Sequence, residues 1–421
     1  MNSKLVTPNV LSFTTVIAVW ANSGRVNSAC RARDLLRRCV SLHDAGDKDL
    51  APDTIIFNAV LNAWSKAAAK GEKGAADGAE ELLEEMVRLS RSAEDLYVRP
   101  DGRSYNLVLG TIARERGGIE AERFLESMHQ ARSSGDTNVP LPDVTSFNVV
   151  IDAFASVGDA GRAVAVLEKM EAGVWDRLAD DGGEDALPRP TTRTYTSVLD
   201  ALSKSNQLDA GDLAEAILCR MSEMRAVSDG GSEKMRPDTR AYNAVIRCYA
   251  NAGGSRGREA ALRSEGVLDN MEKRYAETGD ESVRPDAYTY SSVITAWSKS
   301  DAGEEGGRRA EAVLERMIEG AGDIYPSPHS FNAAIAAWGR SGTRGSAQKA
   351  ERLLRRMDGL YEEGNQNLKP NVFTFTSVRI YFWIRTFKLG LPNRFSLWDL
   401  LKSNTWTMAA LTFSPLLPHT R

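Results

Sequence analysis

The sequence predicts an all-α superhelical solenoid of stacked helix–turn–helix repeats. Two observations lead to this prediction: one motif recurs along most of the chain, and each recurrence carries apolar residues at helical spacing in two successive segments. Neither helix could bury its apolar stripe alone, whereas stacking of successive pairs would join the stripes into one continuous core.

The start of each repeat is marked by an aromatic residue followed by a small polar residue, at spacings of 41 to 48 residues. In most repeats the aromatic lies four residues after a polar residue that follows a proline, as in Pro52-Asp53. The pairs are Phe13-Thr14, Phe57-Asn58, Tyr105-Asn106, Phe147-Asn148, Tyr195-Thr196, Tyr242-Asn243, Tyr290-Ser291, Phe331-Asn332 and Phe375-Thr376.

Two helices are expected in each repeat. In the first, an apolar pair such as Val60-Leu61 follows the aromatic, and a large side chain such as Trp64 comes one turn later. The second has the form Ala-x-x-apolar-apolar-x-x-Met, as in residues 79–86. This pattern predicts eight repeats over residues 10–371, at about 10–53, 54–101, 102–143, 144–191, 192–238, 239–286, 287–327 and 328–371.

The two ends differ from the repeats. Residues 1–9 are expected to end an earlier, truncated repeat, residues 372–380 to begin a ninth, and no targeting peptide is visible. In the tail, residues 381–421, the repeat is lost and Asp399 is the one acidic residue. A capping segment should have a polar outer face. An artefact of the gene model is therefore the leading interpretation of the tail, and a short terminal helix over 396–402 is the second.

Composition limits the possible functions. The chain has 421 residues, of which 42% are hydrophobic and 26% charged, so it can bury a core. Its net charge of −4 argues mildly against coating nucleic acid through bulk charge, although a local basic stripe remains compatible with it. The four cysteines and four histidines have no metal-site spacing. We therefore predict no cofactor, no metal and no catalytic residue.

The polar residue after each aromatic is the main candidate for function. Asn, Thr and Ser are mediocre helix formers, yet they recur at this position. Local capping of the helix is one explanation, and recognition of a ligand is the other. The residue after each proline is likewise a good N-cap, a role that could coexist with ligand recognition.

These motifs resemble the pentatricopeptide repeat family, most closely at residues 58–66 and 243–249, and the resemblance extends over roughly residues 8–378. It implies a right-handed superhelix that binds single-stranded RNA, in which two residues of each repeat read one base. The repeats are longer than the family's usual 35 residues, with extra residues as at 70–78 and 173–188.

By this resemblance, each base is read by the residue after the aromatic and the residue after the closing proline. The implied RNA is 5′-GUUYGUNC-3′, with the amino end of the chain at the 5′ end. The pairs are Thr14 with Asp53, Asn58 with Asp101, Asn106 with Asp143, Asn148 with Thr191, Thr196 with Asp238, Asn243 with Asp286, Ser291 with Ser327, and Asn332 with Asn371.

Two further sets of residues fit an RNA surface. Residues two before the aromatic occupy the place where the family stacks a side chain between bases: Arg103, Arg193, Arg240, Tyr288 and His329. Cations recur near the end of the first helix, where they could contact phosphate or complement the helix dipole: Lys66, Arg114, Lys204, Lys299 and Arg340.

The predicted function is therefore a non-enzymatic RNA-binding adaptor in RNA processing, stability or translation. The family resemblance implies a mitochondrial or plastid location and other RNA-processing proteins as partners. Two alternatives remain: a protein-interaction scaffold of the tetratricopeptide kind, and the targeting arm of a longer RNA-processing enzyme. The tetratricopeptide pattern gives no reason for Asn or Thr after each aromatic.

Overall fold

A computed structural model describes residues 8–92, 98–136, 138–172, 188–205, 207–227, 236–252, 256–320, 324–370 and 374. Within these ranges the chain forms sixteen α-helices and short 3-10 turns with no β-strand, which confirms the predicted all-α class. The chain divides into two compact bodies, residues 1–300 and 301–421, which we describe separately. The tail and Asn371 lie outside the described residues.

The first body alternates first and second helices of successive repeats. The first helices are α1 (Val10–Asn22), α3 (Thr54–Ala69), α5 (Gly102–Glu115), α7 (Val144–Val157), α9 (Thr192–Lys204), α11 (Thr239–Asn251) and α13 (Ala287–Lys299). The second helices are α2 (Ser28–Asp44), α4 (Ala75–Ser92), α6 (Gly118–Ser133), α8 (Ala160–Glu171), α10 (Ala210–Val227) and α12 (Gly257–Thr278).

The start of each first helix is set by a polar N-cap with extended backbone. In α5, Asp101 accepts a hydrogen bond from the backbone amide of Ser104 at 2.8 Å, and the hydroxyl of Ser104 accepts one from the amide of Asp101 at 3.2 Å. Such a capping box satisfies two backbone donors at the helix end. The same box forms at α7, α9 and α13, which begin after Asp143, Thr191 and Asp286.

The core of the first body lies between its helices. Each first helix contacts the first helix of the following repeat, from α1 with α3 through α11 with α13, and each second helix contacts the first helices on either side of it. Val60 and Leu61 of the apolar pair are fully buried, as are Ala79 and Met86 of the second helix. Burial of these side chains supplies the main favourable term in folding.

Close approach between helices depends on small residues. A Cβ atom added to Gly118, at the start of α6, would lie 2.6 Å from the ring of Phe154 on α7. Gly211 on α10 approaches the ring of Tyr249 on α11 in the same way. Each of these two aromatics, one turn after the apolar pair, thus packs closely on a glycine of the preceding repeat, a contact that a larger residue would obstruct.

The second body has α14 (Glu304–Gly320), α15 (Pro328–Ser341) and α16 (Ser346–Glu362) among its described residues. α15 packs between the other two helices. Trp338 is 1% exposed and donates from its indole nitrogen to Glu311 at 2.8 Å, while the ammonium of Lys349 lies 4.0 Å from its ring centroid. This body therefore follows the same packing pattern as the first.

Candidate nucleic-acid interface

Three of the residue pairs predicted to read one base come together, each between the Asn of one first helix and the Asp that caps the next first helix. The side-chain nitrogen of Asn58 on α3 donates to Asp101, the N-cap of α5, at 3.3 Å. Asn106 donates to both carboxylate oxygens of Asp143, at 3.1 and 3.3 Å. Stacking of first helices thus places the amide of one repeat beside the N-cap of the next, more than thirty-five residues away in sequence.

The same arrangement recurs farther along the first body. Asn243 on α11 donates to Asp286, the N-cap of α13, at 3.3 Å. In the repeat where the N-cap is Thr191, the amide oxygen of Asn148 accepts a hydrogen bond from Thr194 at 2.8 Å. The asparagines therefore bind the neighbouring repeat, and local capping of their own helix does not account for them.

The hydroxyl residues at this position behave differently. Thr14 donates to the carbonyl of Val10 at 2.9 Å, and Ser291 donates to the carbonyl of Ala287 at 2.7 Å. Thr196 likewise donates to the carbonyl of Thr192. Such bonds back to the preceding turn are usual for Ser and Thr inside helices. A hydroxyl here is thus satisfied within its own helix, whereas an amide engages the next repeat.

The amides are largely covered. Asn58 and Asn148 are each 8% exposed and Asn243 is 9% exposed. Little of the surface of each of these residues is therefore open to a ligand. The amide oxygen of Asn332 is buried without a hydrogen bond among the described residues, and its predicted partner Asn371 lies outside them.

The pKa of Asp101 reflects its position in this contact. Burial by itself would raise the pKa of the carboxyl group, but hydrogen bonds from Ser104 and Asn58 outweigh burial and lower it below its ordinary value. Asp101 is therefore an acceptor-only carboxylate at neutral pH, which suits both the helix N-terminus and the Asn58 amide.

The predicted stacking residues are exposed at the second position of their helices. Arg103, Arg193, Arg240, Tyr288 and His329 are all exposed. Arg193 is held by an ion pair with Asp152 of the preceding repeat at 3.2 Å. The ion pair restrains the guanidinium group of Arg193, and an exposed guanidinium plane can stack on a base.

The predicted cation row contacts the end of the preceding first helix. Arg114 donates to the hydroxyl of Ser65 at 2.7 Å, and Lys204 donates to the carbonyl of Ala155 at 3.2 Å. Lys66 donates to the side chain of Asn22. These bonds agree with a helix-end role, although the helix belongs to the neighbouring repeat. Lys204, Lys299, Arg114 and Arg340 remain exposed, so a phosphate role stays a prediction.

A polar cleft joins several of these residues. It has a volume of about 780 Å³ and is lined by Thr196, Asp238 and Asn243 together with Arg193, Arg240 and Tyr288. Asp152 and Asp200 also line it, and each is paired with an arginine, Asp152 with Arg193 and Asp200 with Arg247.

Sequence reasoning missed Asp152, Asp200 and Arg247. They lie four residues after Asn148, Thr196 and Asn243, which is one helical turn along the same face. This periodicity was available in the sequence and could have placed them at the interface. Arg247 and the predicted stacking residue Tyr288 of the next first helix line the same cleft.

The described ranges contain no group of three or more His, Cys, Asp or Glu side chains able to hold a metal ion. No helix within those ranges is both long and apolar enough to cross a membrane.

The stacked helix pairs with a polar row along their first helices define a helical-repeat solenoid protein. A family model described as a PPR (pentatricopeptide) repeat matches residues 145–172, which cover most of α7 and all of α8. The predicted resemblance to the pentatricopeptide repeat family is thereby confirmed, with the match at the helix pair that carries Asn148.

The chain is also similar to solved structures of this family. One is the pentatricopeptide repeat protein PPR10 in complex with an 18-nt psaJ RNA element, at 18% identity and a TM-score of 0.37, covering 90% of this chain and 54% of that one. PPR10 from maize aligns at 18% identity and a TM-score of 0.29, covering 94% of this chain and 64% of that one. This chain thus spans about half the length of the first. No curated protein sequence matches it.

Proposed function

We propose that this chain binds single-stranded RNA along its row of first helices, with each repeat contacting about one base. The observation that supports this most strongly is the recurring contact between Asn and Asp of adjacent repeats, as in Asn58 with Asp101 and Asn243 with Asp286. The recurrence of this contact along the row of first helices suits a polymer ligand whose own chemical groups repeat.

The chemistry of the amide fits a pyrimidine base. An asparagine side chain offers a donor and an acceptor side by side, and the Watson–Crick edge of uracil or cytosine presents the complementary groups. A threonine at this position is shorter, and the family resemblance assigns it to a purine. These assignments lead to the proposed target 5′-GUUYGUNC-3′.

The local charge is compatible with an RNA backbone. Two of the three acidic groups that line the cleft, Asp152 and Asp200, are each paired with an arginine, which offsets their negative charge, and Asp238 is the third. The exposed cations Arg114, Lys204 and Lys299 lie on first helices, as do the residues predicted to read bases. Their charge could attract phosphate even though the chain as a whole is slightly acidic.

The biological role proposed is that of a non-enzymatic adaptor. By holding about eight nucleotides single-stranded, the chain would guide processing, protection or translation of an organellar transcript, in mitochondria or plastids. A protein-interaction scaffold is the alternative from a different class. It predicts a partner that contacts the same face without any preference for a base sequence.

Selection from a random single-stranded RNA pool tests the proposal. We expect enrichment of sequences related to 5′-GUUYGUNC-3′ at moderate salt. Enrichment of an unrelated motif would retain RNA binding and reject the assigned code. Absence of any enrichment, with no binding at low salt, would reject the proposed function and favour the scaffold.

A further inference from the structure

A hydroxyl group accompanies each Asn of the first body that faces the next repeat. Ser104, Ser146, Thr194 and Thr289 each occupy the third position of the following first helix. Their hydroxyls donate to the amide oxygens of Asn58, Asn106, Asn148 and Asn243 at 2.7, 2.6, 2.8 and 2.7 Å. We refer to these four residues as the amide-facing hydroxyls.

The capping box leaves the hydroxyl hydrogen free to point at the amide. At the start of the seventh repeat, the oxygen of Thr289 accepts from the backbone amide of Asp286 at 3.0 Å. That bond uses a lone pair of the hydroxyl, so its hydrogen is directed elsewhere. The hydroxyl oxygen lies 2.7 Å from the amide oxygen of Asn243 and 2.8 Å from a carboxylate oxygen of Asp286, and its one hydrogen is shared between these two acceptors.

This environment admits one orientation of the amide. The oxygen of Asn243 faces a hydroxyl donor, and its nitrogen faces the carboxylate of Asp286 at 3.3 Å. Rotation of the amide by half a turn would put its oxygen against the carboxylate, where two acceptors repel each other. The hydroxyl and the carboxylate therefore act on opposite ends of the amide and favour the same orientation.

The residue types at the two positions are correlated where the residue after the aromatic is Asn or Thr. Where the residue after the aromatic is Thr14 or Thr196, the third position of the following helix is Ile56 or Ala241, which have no hydroxyl. Those threonines bond to their own helix and need no external donor. After Ser291 the residue at this register is Ser330, whose hydroxyl donates to the carbonyl of Ser327 at 2.8 Å.

We propose that the amide-facing hydroxyls are positioning residues for base recognition: each fixes its Asn amide so that one N–H and one oxygen lone pair face the base in a defined order. This inference rests on the proposed RNA-binding function and adds a third residue to each two-residue site. The order matters because uracil and cytosine present their donor and acceptor in opposite order at the same edge.

The test uses variants at Thr289 in the full chain. Thr289→Val keeps the shape and removes the hydroxyl, whereas Thr289→Ser keeps the hydroxyl. The probes are two synthetic RNAs, 5′-GUUUGUAC-3′ and the same sequence with C at the sixth base. We expect Thr289→Val to reduce the U-over-C preference at that base roughly fivefold, the effect of one hydrogen bond, and Thr289→Ser to retain it.

A matched control lies one repeat earlier. Ala241→Ser introduces a hydroxyl beside Thr196, which is already satisfied within its own helix, so preference at the fifth base should not change. The ratio of the affinities for the two RNAs distinguishes a positioning role from an effect on stability, because a weakened helix cap would lower both affinities by the same factor. An unchanged U-over-C ratio in Thr289→Val would overturn the inference.

A second measurement needs no RNA. In nuclear magnetic resonance spectra of the free chain, the side-chain N–H₂ group of Asn243 should exchange faster with solvent in Thr289→Val than in the wild type or Thr289→Ser. Equal exchange in all three chains would overturn the positioning role. Loss of all RNA binding with the expected exchange pattern would instead reject the proposed function and leave the amide orientation established. If the wild-type chain binds RNA without any preference at the sixth base, both the positioning role and the proposed reading of that base are overturned.

Discussion

Asn243 and Asp286 lie 43 residues apart in sequence, yet the amide of one donates to the carboxylate of the other at 3.3 Å. The two helices that carry them are the first helices of consecutive repeats. The contact forms because these two helices stack on each other. Every Asn–Asp pair of this kind therefore depends on the packing of two consecutive first helices.

The first prediction concerns the identity of the base at this pair. Asn243→Thr recreates the combination of Thr196 with Asp238, and the new hydroxyl should bond to its own helix. We expect preference at the sixth base to move from U to G, with a change on the order of 1–3 kcal/mol. Affinities for four RNAs that differ only at that base measure it.

The control for this exchange is the equivalent change at Asn106, which should affect the third base and leave the sixth alone. If the residues only stabilise the stack, Asn243→Thr should weaken binding to all four RNAs equally. A preference that stays on U would remove Asn243 from base recognition.

The second prediction concerns the cation row. With about five phosphate contacts, the slope of log affinity against log salt should be roughly −3 to −4. Lys204→Ala should reduce the steepness by about 0.7, because one contact to a single strand is lost. Arg88 is exposed on the second helix α4, and Arg88→Ala serves as the matched control with no change in slope. Equal slopes for all three chains would mean that Lys204 binds the carbonyl of Ala155 and makes no phosphate contact.

The third prediction concerns pH. Asp101 has a lowered pKa in the folded chain, so its contribution to stability is present above the ordinary carboxyl pKa of about 3.9 and is lost as pH falls through the lower, folded value. Asp101→Asn keeps a capping acceptor but does not titrate at this position. Hydrogen exchange of the Ser104 amide should therefore show an advantage of the wild type at pH 7 that disappears near pH 2. An advantage independent of pH would contradict the ionised contact.

The fourth prediction concerns packing. Gly118→Ala would place a methyl group 2.6 Å from the ring of Phe154, and we expect a loss of about 1–3 kcal/mol from overpacking. Gly266, in the middle of α12, has nothing within 4 Å of an added Cβ atom. Gly266→Ala should therefore stabilise its helix by about 0.5–1 kcal/mol. Local unfolding free energies from hydrogen exchange measure both changes, and destabilisation by both would contradict the space assigned to Gly266.

Much of the fold followed from periodicity. The apolar pair and the aromatic predicted the buried stripe of each first helix, because side chains three or four residues apart share a helical face. The polar residue after the proline predicted the N-cap, since the chemistry of capping is local. Both kinds of inference need only residues within one or two helical turns of each other.

The site was less accessible to the same reasoning. Asn58 could be recognised as unusual in a helix, but the sequence left open whether it caps that helix or binds a ligand. Its contacts with Asp101 and Ser104 are made across two repeats, and their distances depend on how closely the first helices stack. The ion pair of Arg193 with Asp152 was missed for the same reason.

The sequence by itself determined the all-α class, the helix starts and the apolar stripes, because these follow from interactions between residues close along the chain. The tertiary structure alone decided which polar groups meet. In it, the asparagines form hydrogen bonds with the next repeat, whereas the threonines form theirs within their own helices. Arg114 and Lys204 form hydrogen bonds with the preceding repeat. The physical reason is that a hydrogen bond requires a separation of about 3 Å. Only the packing of one helix pair on the next sets that separation between residues some forty positions apart.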